Sequence, residues 1–218
     1  MISRGGIFFS FASVTALAVL TACGPSETDA ETLDTAAATA AAEGTSSFSC
    51  FVRGATRDEA MARPSPLGEV EIAMGENEAL LCYGRPSANG RVVMGELVPY
   101  GSPWRLGANE ATAIHMDFAG QIGSVDVEPG SYSLYAIPGE QEWEFVVNRQ
   151  VERWGIPIND SVRADDIGTF RRPVATNTNP VEQLTFAWQS HGEGMGHLVM
   201  TWENTRVEVP IHVAGAAQ

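Results

Sequence analysis

Hydrophobic residues in the second half of the chain recur at every second position. Near the end, Val207, Val209, Ile211 and Val213 alternate with residues that are mostly polar. A period of two over five to seven residues is typical of a β-strand with one buried face. The same alternation predicts strands over 114–118, 132–136, 143–147, 184–188 and 198–202.

Shorter apolar runs and turn residues complete the predicted fold. Further strands are expected over 70–74, 80–83, 92–94 and 124–127, separated by turn signals such as Asn89-Gly90 and Pro129-Gly130. A helical turn is expected near 149–154, but no segment is convincingly amphipathic. Nine or ten short strands predict an all-β domain, a single antiparallel sandwich of jelly-roll type. Pro210 suggests that the last strand is an edge strand.

The beginning of the chain has a different pattern, a positive residue followed by one short apolar run. Arg4 precedes the apolar stretch Ile7 to Leu20, which is too short for a membrane-spanning helix. The following LTAC run ends at Cys23 and resembles a bacterial lipobox. It predicts a lipoprotein signal peptide over 1–22, cleavage before Cys23, and attachment of palmitate or similar acyl chains to Cys23.

Composition divides the remainder into two parts. Residues 23–47 are dominated by alanine, threonine and acidic residues and contain no aromatic residue, so we expect a lipidated N-terminus and a flexible tether. Residues 48–218 are long enough to bury a core as one domain.

The charge balance excludes several functions. The chain contains thirteen arginines, no lysine and 27 acidic residues, giving a net charge of −14. Such a surface disfavours nucleic acid and anionic headgroups, so membrane attachment is expected to come from lipid. The absence of lysine excludes a P-loop and Schiff-base chemistry.

Two cysteines remain once Cys23 is assigned to lipid. Cys50 and Cys82 form an even pair, and an exported protein meets an oxidising compartment, which favours a disulfide. The alternative is two buried thiols that act as small apolar side chains.

The segment 83–112 concentrates side chains suited to binding. In a structural interpretation, Trp104 anchors the core, Arg105 pairs with Glu110 or caps carbonyls, and Asn109 adopts a left-handed backbone or an Asx-turn. In a functional interpretation the side chains converge on an anionic or polyhydroxyl ligand, because arginine suits bidentate recognition of anions. The candidate ligand-binding residues are Arg85, Arg91, Trp104, Arg105, Asn109 and Glu110.

Several motifs between residues 83 and 157 resemble a known family. They are YGRP (83–86), LVPYG (97–101), WRLGANEAT (104–112), PGSYSLYAIPG (129–139) and RWGIP (153–157). In these the chain resembles the bacterial domain-of-unknown-function 2911 family over about 63–213. The resemblance implies an exported, often lipid-anchored, β-rich domain. It implies no activity and no catalytic residue.

Familiar catalytic motifs are missing from the sequence. There is no GxSxG elbow, HExxH helix, CxxC pair or dinucleotide fingerprint. The His191–His197 segment matches no zinc signature, and Asp165 and Asp166 are expected in a solvated loop. No catalytic residue, cofactor or metal is therefore predicted.

The sequence favours a non-enzymatic envelope lipoprotein, located at the outer membrane and facing the periplasm. It would bind a small anionic ligand, a carbohydrate or an exported protein through the 83–112 segment. One alternative is a hydrolase or metal-dependent enzyme that uses Glu110 and His115, and another is a purely structural domain.

Overall fold

A computed structural model describes residues 47–192 and 194–215, and it confirms the all-β sandwich. Six strands form one sheet, in the order β1-β2-β3-β6-β7-β8, and four form the other, in the order β5-β4-β10-β9. The predicted signal peptide, Cys23 and the tether up to residue 46 lie outside the described residues.

The elements are short in the first half of the domain and long at its end. Two short helices, α1 (Arg57–Met61) and α2 (Asp160–Arg163), flank the strands, and no helix in the described ranges has the length and apolar character to cross a membrane. The strands are β1 (Leu67–Met74), β2 (Asn77–Gly84), β3 (Thr112–Met116), β4 (Gly120–Ile122), β5 (Val125–Val127), β6 (Gly130–Ile137), β7 (Glu142–Asn148), β8 (Asp166–Pro173), β9 (Ala175–Ser190) and β10 (Met195–Val213).

The six-stranded sheet is made of two antiparallel runs. Strands β1, β2 and β3 pair in sequence order, and so do β6, β7 and β8, while β3 pairs with β6. Between the two runs the chain leaves this sheet to form β4 and β5, which join β10 in the other sheet. The strands of each run are therefore neighbours in the chain, and their alternation could be recognised locally.

The core lies between the two sheets and contains the predicted alternating residues. Trp143 and Phe145 of β7 are fully buried, as are Leu184 of β9 and Trp202 and Ile211 of β10. Each such side chain contributes on the order of 2 kcal/mol when it leaves water.

Some local predictions are wrong. Residues 92–94 form no strand, because Val93 is buried within a turn-rich loop that closes on Val98. The 149–154 segment contains no helix, and the helical turn occurs instead at α2, where the Asn159 side chain caps Val162 N. The two alternating runs after residue 195 belong to the single strand β10, which contains register shifts near Glu203.

Two further predictions are wrong, one about strand β10 and one about Asp166. Strand β10 lies between β4 and β9, so it is not an edge strand. Its last pair with β9 is Arg206 with Ala175, and Pro210 follows that pair, where it interrupts no ladder with β9. Asp166 begins β8 and accepts hydrogen bonds from Tyr135 and Asn148 rather than being solvated in a loop.

The outer face of the six-stranded sheet is also covered. Cys82 and His115 alternate with core residues of β2 and β3, yet both are buried. Residues 47–56, which we call the N-terminal strap, cross them: Cys50 is disulfide-bonded to Cys82, and the Phe48 ring stacks on His115 at 5.8 Å. The 149–165 connection covers the adjacent part, where Asn148 donates to the Val162 carbonyl.

Candidate functional site

The connection between β2 and β3, residues 85–111, has a fixed shape although it contains no regular element. Val93, Val98 and Leu106 are buried, and Trp104 exchanges two backbone hydrogen bonds with Ala136 of β6, at 2.7 and 2.9 Å. A connection of this length that packs its own side chains is usually functional rather than a simple link.

This connection borders a cavity of about 390 Å³, which we call the loop groove. Its volume is at the lower end of the range for small-molecule sites. The side chains that matter most for its chemistry are Arg91, Leu97, Trp104, Arg105, Ile156 and Trp202.

Trp104 lines the loop groove and forms one of its walls. Its ring meets Trp143 edge-on at 5.7 Å and stacks on Trp202 at 5.9 Å. Trp143 and Trp202 are fully buried, so the wall is continuous with the core. Such packing fixes the ring before any ligand arrives.

Arg105 is a half-buried cation in the groove. Its Nε donates to the Gly107 carbonyl at 3.1 Å. Within the described ranges, neither terminal nitrogen of this guanidinium has a hydrogen-bond acceptor, and no carboxylate pairs with it. Burial lowers the pKa of Arg105, and no neighbouring carboxylate counters that effect. The groove therefore contains a positive charge with unused donors.

Arg91 supplies a second positive charge at the rim. Its side chain is exposed, with Nε and Nη2 each donating at 2.8 Å to the carbonyls of Ala88 and Ser87. These bonds hold the turn around Asn89 and leave Arg91 less free than Arg105 to bind a ligand.

Arg85 does not line the loop groove. Its Nη2 lies 3.5 Å from Thr185 Oγ1 of β9, and its aliphatic part packs so closely against Gly68 that a Cβ there would lie 2.5 Å from Cδ. The backbone N–H of Arg85 donates to the Pro66 carbonyl. The residue therefore connects β1, β2 and β9 and serves packing.

Asn109 and Glu110 also lie apart from the groove, beside a cavity of only about 10 Å³. Asn109 has the left-handed backbone considered from the sequence, with φ of 63°, and its Nδ2 donates to the Ser65 carbonyl at 2.8 Å. Glu110 accepts from Arg63 and from the Arg53 backbone N–H. Of the two structural roles considered for Arg105, pairing with Glu110 is absent because Arg63 occupies that carboxylate, while capping of a loop carbonyl is present at Gly107.

Of the six candidate residues, the structure brings Arg91, Trp104 and Arg105 together. Among the further lining residues, sequence reasoning did not single out the large apolar side chains of Leu97, Ile156 and Trp202. Leu97 and Ile156 fall within the LVPYG and RWGIP motifs, so the family resemblance contained a signal for both. The sequence contained no such signal for Trp202, because the alternating pattern around it in β10 indicates core packing.

His115 lies in a separate cleft of about 330 Å³, between the N-terminal strap and the start of the 149–165 connection. It is 8% exposed, and its Nδ1 is 2.7 Å from Ser131 Oγ. Burial lowers its pKa, against a smaller opposite effect of Glu152. Glu110 and His115, considered together for an enzyme, border different cavities.

His191 and His197 contact other side chains of the protein. The rings of His191 and His197 are 4.5 Å apart, and His197 Nδ1 lies 2.9 Å from Glu208 Oε2. Glu193 lies outside the described residues. Within them, no group of three or more His, Cys, Asp or Glu side chains could hold a metal ion.

Comparison with known families gives one match. The model of a family described as a protein of unknown function (DUF2911) matches residues 65–211, more than half of the chain. The chain belongs to the DUF2911 family. The DUF2911 match spans all the side chains singled out in the loop groove. The searches of curated proteins and of solved structures found no match.

Proposed function

We propose that this DUF2911 protein is a non-enzymatic binding module of the bacterial cell envelope, anchored by lipid on Cys23, which takes a small anionic ligand in the loop groove. The observation that carries the proposal is Arg105, whose terminal nitrogens point to no acceptor in the described chain. Neither terminal nitrogen is among the buried side-chain atoms that lack a partner, so both reach solvent, and a bound anion could replace water as their acceptor.

The position of Arg105, rather than its lack of an ion pair, sets it apart. Among the twelve described arginines, Arg57, Arg63, Arg171 and Arg206 pair with carboxylates and the other eight do not. Of those eight, Arg91 and Arg105 line the loop groove, and Arg91 already donates to two backbone carbonyls. Arg105 is therefore the better candidate for binding an anion in the groove.

The groove favours an anion over a carbohydrate. Sugar binding often uses an aromatic face as a platform, but the Trp104 ring is already packed against Trp143 and Trp202. The aliphatic part of Arg105 packs against Gly155 and its Nε caps the Gly107 carbonyl, and these contacts leave both terminal nitrogens free for a ligand.

The test is calorimetric titration of the purified domain with benzoate and with phenyl phosphate. We expect saturable binding of at least one, and Arg105→Gln should weaken it at least tenfold, because a charge-assisted pair in a half-buried site is lost. Arg53→Gln is the matched control, since that exposed side chain does not line the groove. Absence of saturable binding, or equal affinity in Arg105→Gln, would overturn the proposed ligand site.

The anchor is tested separately in cells. Metabolic labelling with an alkyne analogue of palmitate should mark the wild-type protein, while Cys23→Ala should be unlabelled and should leave the membrane fraction. Labelling that persists in Cys23→Ala would contradict the proposed anchor and would leave the groove proposal intact.

A further inference from the structure

The loop groove has a pronounced apolar rim. Five large apolar side chains are strongly exposed in the described ranges, and four of them belong to the groove or to the loop that forms it. Leu97 (40% exposed) and Ile156 (52%) line the groove, while Val92 and Tyr100 lie in the same loop; the fifth, Met61, lies in α1. Clustering of this kind marks an interaction site rather than a random surface.

The rim and the cation belong to one cavity. Leu97 comes from the β2–β3 connection and Ile156 from the 149–165 connection, so two separate segments contribute apolar surface beside Arg105. The Arg105 side chain is held between these segments, since a Cβ on Gly155 would lie 2.3 Å from its Cδ. Charge and apolar surface are therefore fixed relative to each other.

From this arrangement we infer that the ligand of the loop groove is an anionic amphiphile, specifically an alkyl carboxylate. This inference rests on the proposed function and specifies its ligand. The carboxylate accepts from the terminal nitrogens of Arg105, and the alkyl chain lies against Leu97 and Ile156. Burying the chain removes both ligand and rim surface from water, which a purely polar anion would not achieve.

The same features disfavour other anions. A polyanion would meet a chain with a net charge of −14. A cavity of about 390 Å³ suits one short chain rather than a whole two-chain lipid. The carboxylate could belong to a free acid in solution or to a headgroup in a bilayer, and the experiment separates these two sources.

The main test is a titration series with acetate, butanoate, hexanoate, octanoate and decanoate below their micellar concentrations, followed by tryptophan fluorescence and calorimetry. Affinity should rise about two- to fourfold per methylene until the groove is filled. Octanol should bind at least tenfold more weakly than octanoate, because it lacks the anion. Binding to phosphatidylserine vesicles without binding to free octanoate would overturn the free-acid ligand and assign the carboxylate to a headgroup.

Variants separate the contribution of the apolar rim to binding from that of the Arg105 charge. Leu97→Ser and Ile156→Ser should flatten the dependence on chain length, so that octanoate loses more affinity than acetate, whereas Arg105→Gln should weaken the whole series. Met61→Ser removes an exposed apolar side chain elsewhere and should change nothing. If benzoate binds through Arg105 but affinity is independent of chain length, the amphiphile inference fails and the proposed function stands. If no carboxylate binds, the amphiphile inference fails, and the proposed function fails with it if phenyl phosphate does not bind either.

Discussion

Arg63 donates from Nη1 to both carboxylate oxygens of Glu110, at 3.0 and 2.9 Å. The same carboxylate accepts from the backbone N–H of Arg53 in the N-terminal strap. Glu110 thus joins three segments that are distant in sequence: the strap, the turn after α1, and the end of the β2–β3 connection. Its environment indicates a structural brace rather than a ligand-orienting group.

Glu110→Ala should therefore lower the free energy of unfolding by about 2–3 kcal/mol, since it leaves Arg63 and the Arg53 N–H without their acceptor in a mostly buried setting. The measurement is urea denaturation followed by tryptophan fluorescence. Glu142→Ala is the control, because its pair with Arg171 is exposed and its loss should leave the free energy of unfolding nearly unchanged. Equal effects of the two substitutions would contradict the bracing role.

Arg105→Met should behave in the opposite way. Replacing an unpaired, half-buried cation with an apolar side chain of similar length removes a desolvation cost, so stability should be unchanged or higher, within about 1 kcal/mol. Benzoate binding should be lost. A fall in stability of 2 kcal/mol or more in thermal or urea denaturation would show instead that Arg105 is structural.

Removing the disulfide should weaken the domain as a whole. Cys50 and Cys82 are 32 residues apart in sequence, and the chain-entropy treatment assigns such a loop about 3–4 kcal/mol. The double variant Cys50→Ser, Cys82→Ser should show that loss in urea denaturation, while a reducing agent should destabilise the wild type and leave the double variant unaffected. A wild type indifferent to reduction would argue against this contribution.

His115 should make stability depend on pH. Burial lowers its pKa in the folded state below the unfolded value near 6.5, so the unfolded chain binds more protons in the window below 6.5. Stability should therefore fall as pH decreases from about 6.5 and should level off below the folded-state pKa. Glu152 opposes the shift without reversing it.

The measurement is the free energy of unfolding of wild type and His115→Gln between pH 5 and 8. The difference between the two proteins should change with pH in that window alone. Met61→Ser gives a control, because it changes an exposed side chain that carries no titratable group and should keep the wild-type profile. A His115→Gln profile parallel to wild type would rule out this origin of the pH dependence.

The sandwich could be predicted from the sequence because each antiparallel strand with one buried face shows alternating apolar and polar residues within its own few positions. Trp143 and Phe145, or Leu198 and Met200, alternate with outward residues and can be recognised without knowledge of their partners. The strand predicted over 92–94 was wrong because buried loop residues such as Val93 also produce short apolar runs. The short helices at Arg57 and Asp160 depend on capping by Thr56 and Asn159, a signal that is easily overlooked next to strand patterns.

The candidate residues were grouped because they lie in one segment of the sequence. This grouping was only partly right, since residues of one segment can point their side chains in different directions. Arg105 faces the groove while Glu110, five residues later, faces Arg63. The intervening left-handed residues Leu106 and Asn109 turn the chain between them. The RWGIP motif marked Ile156 as part of the family pattern, but only the tertiary fold places Ile156 and Trp202 in the same cavity as Arg105.

The bond between Cys50 and Cys82 also decides where tension enters the domain. If the chain is held at Cys23, any pull arriving from the tether reaches the strap first, and the disulfide passes it directly to β2. Strand β2 is hydrogen-bonded on both sides, to β1 and to β3. The domain would therefore resist peeling from its N-terminus, and the disulfide would act as a mechanical clamp between the membrane and the sheet beside the groove.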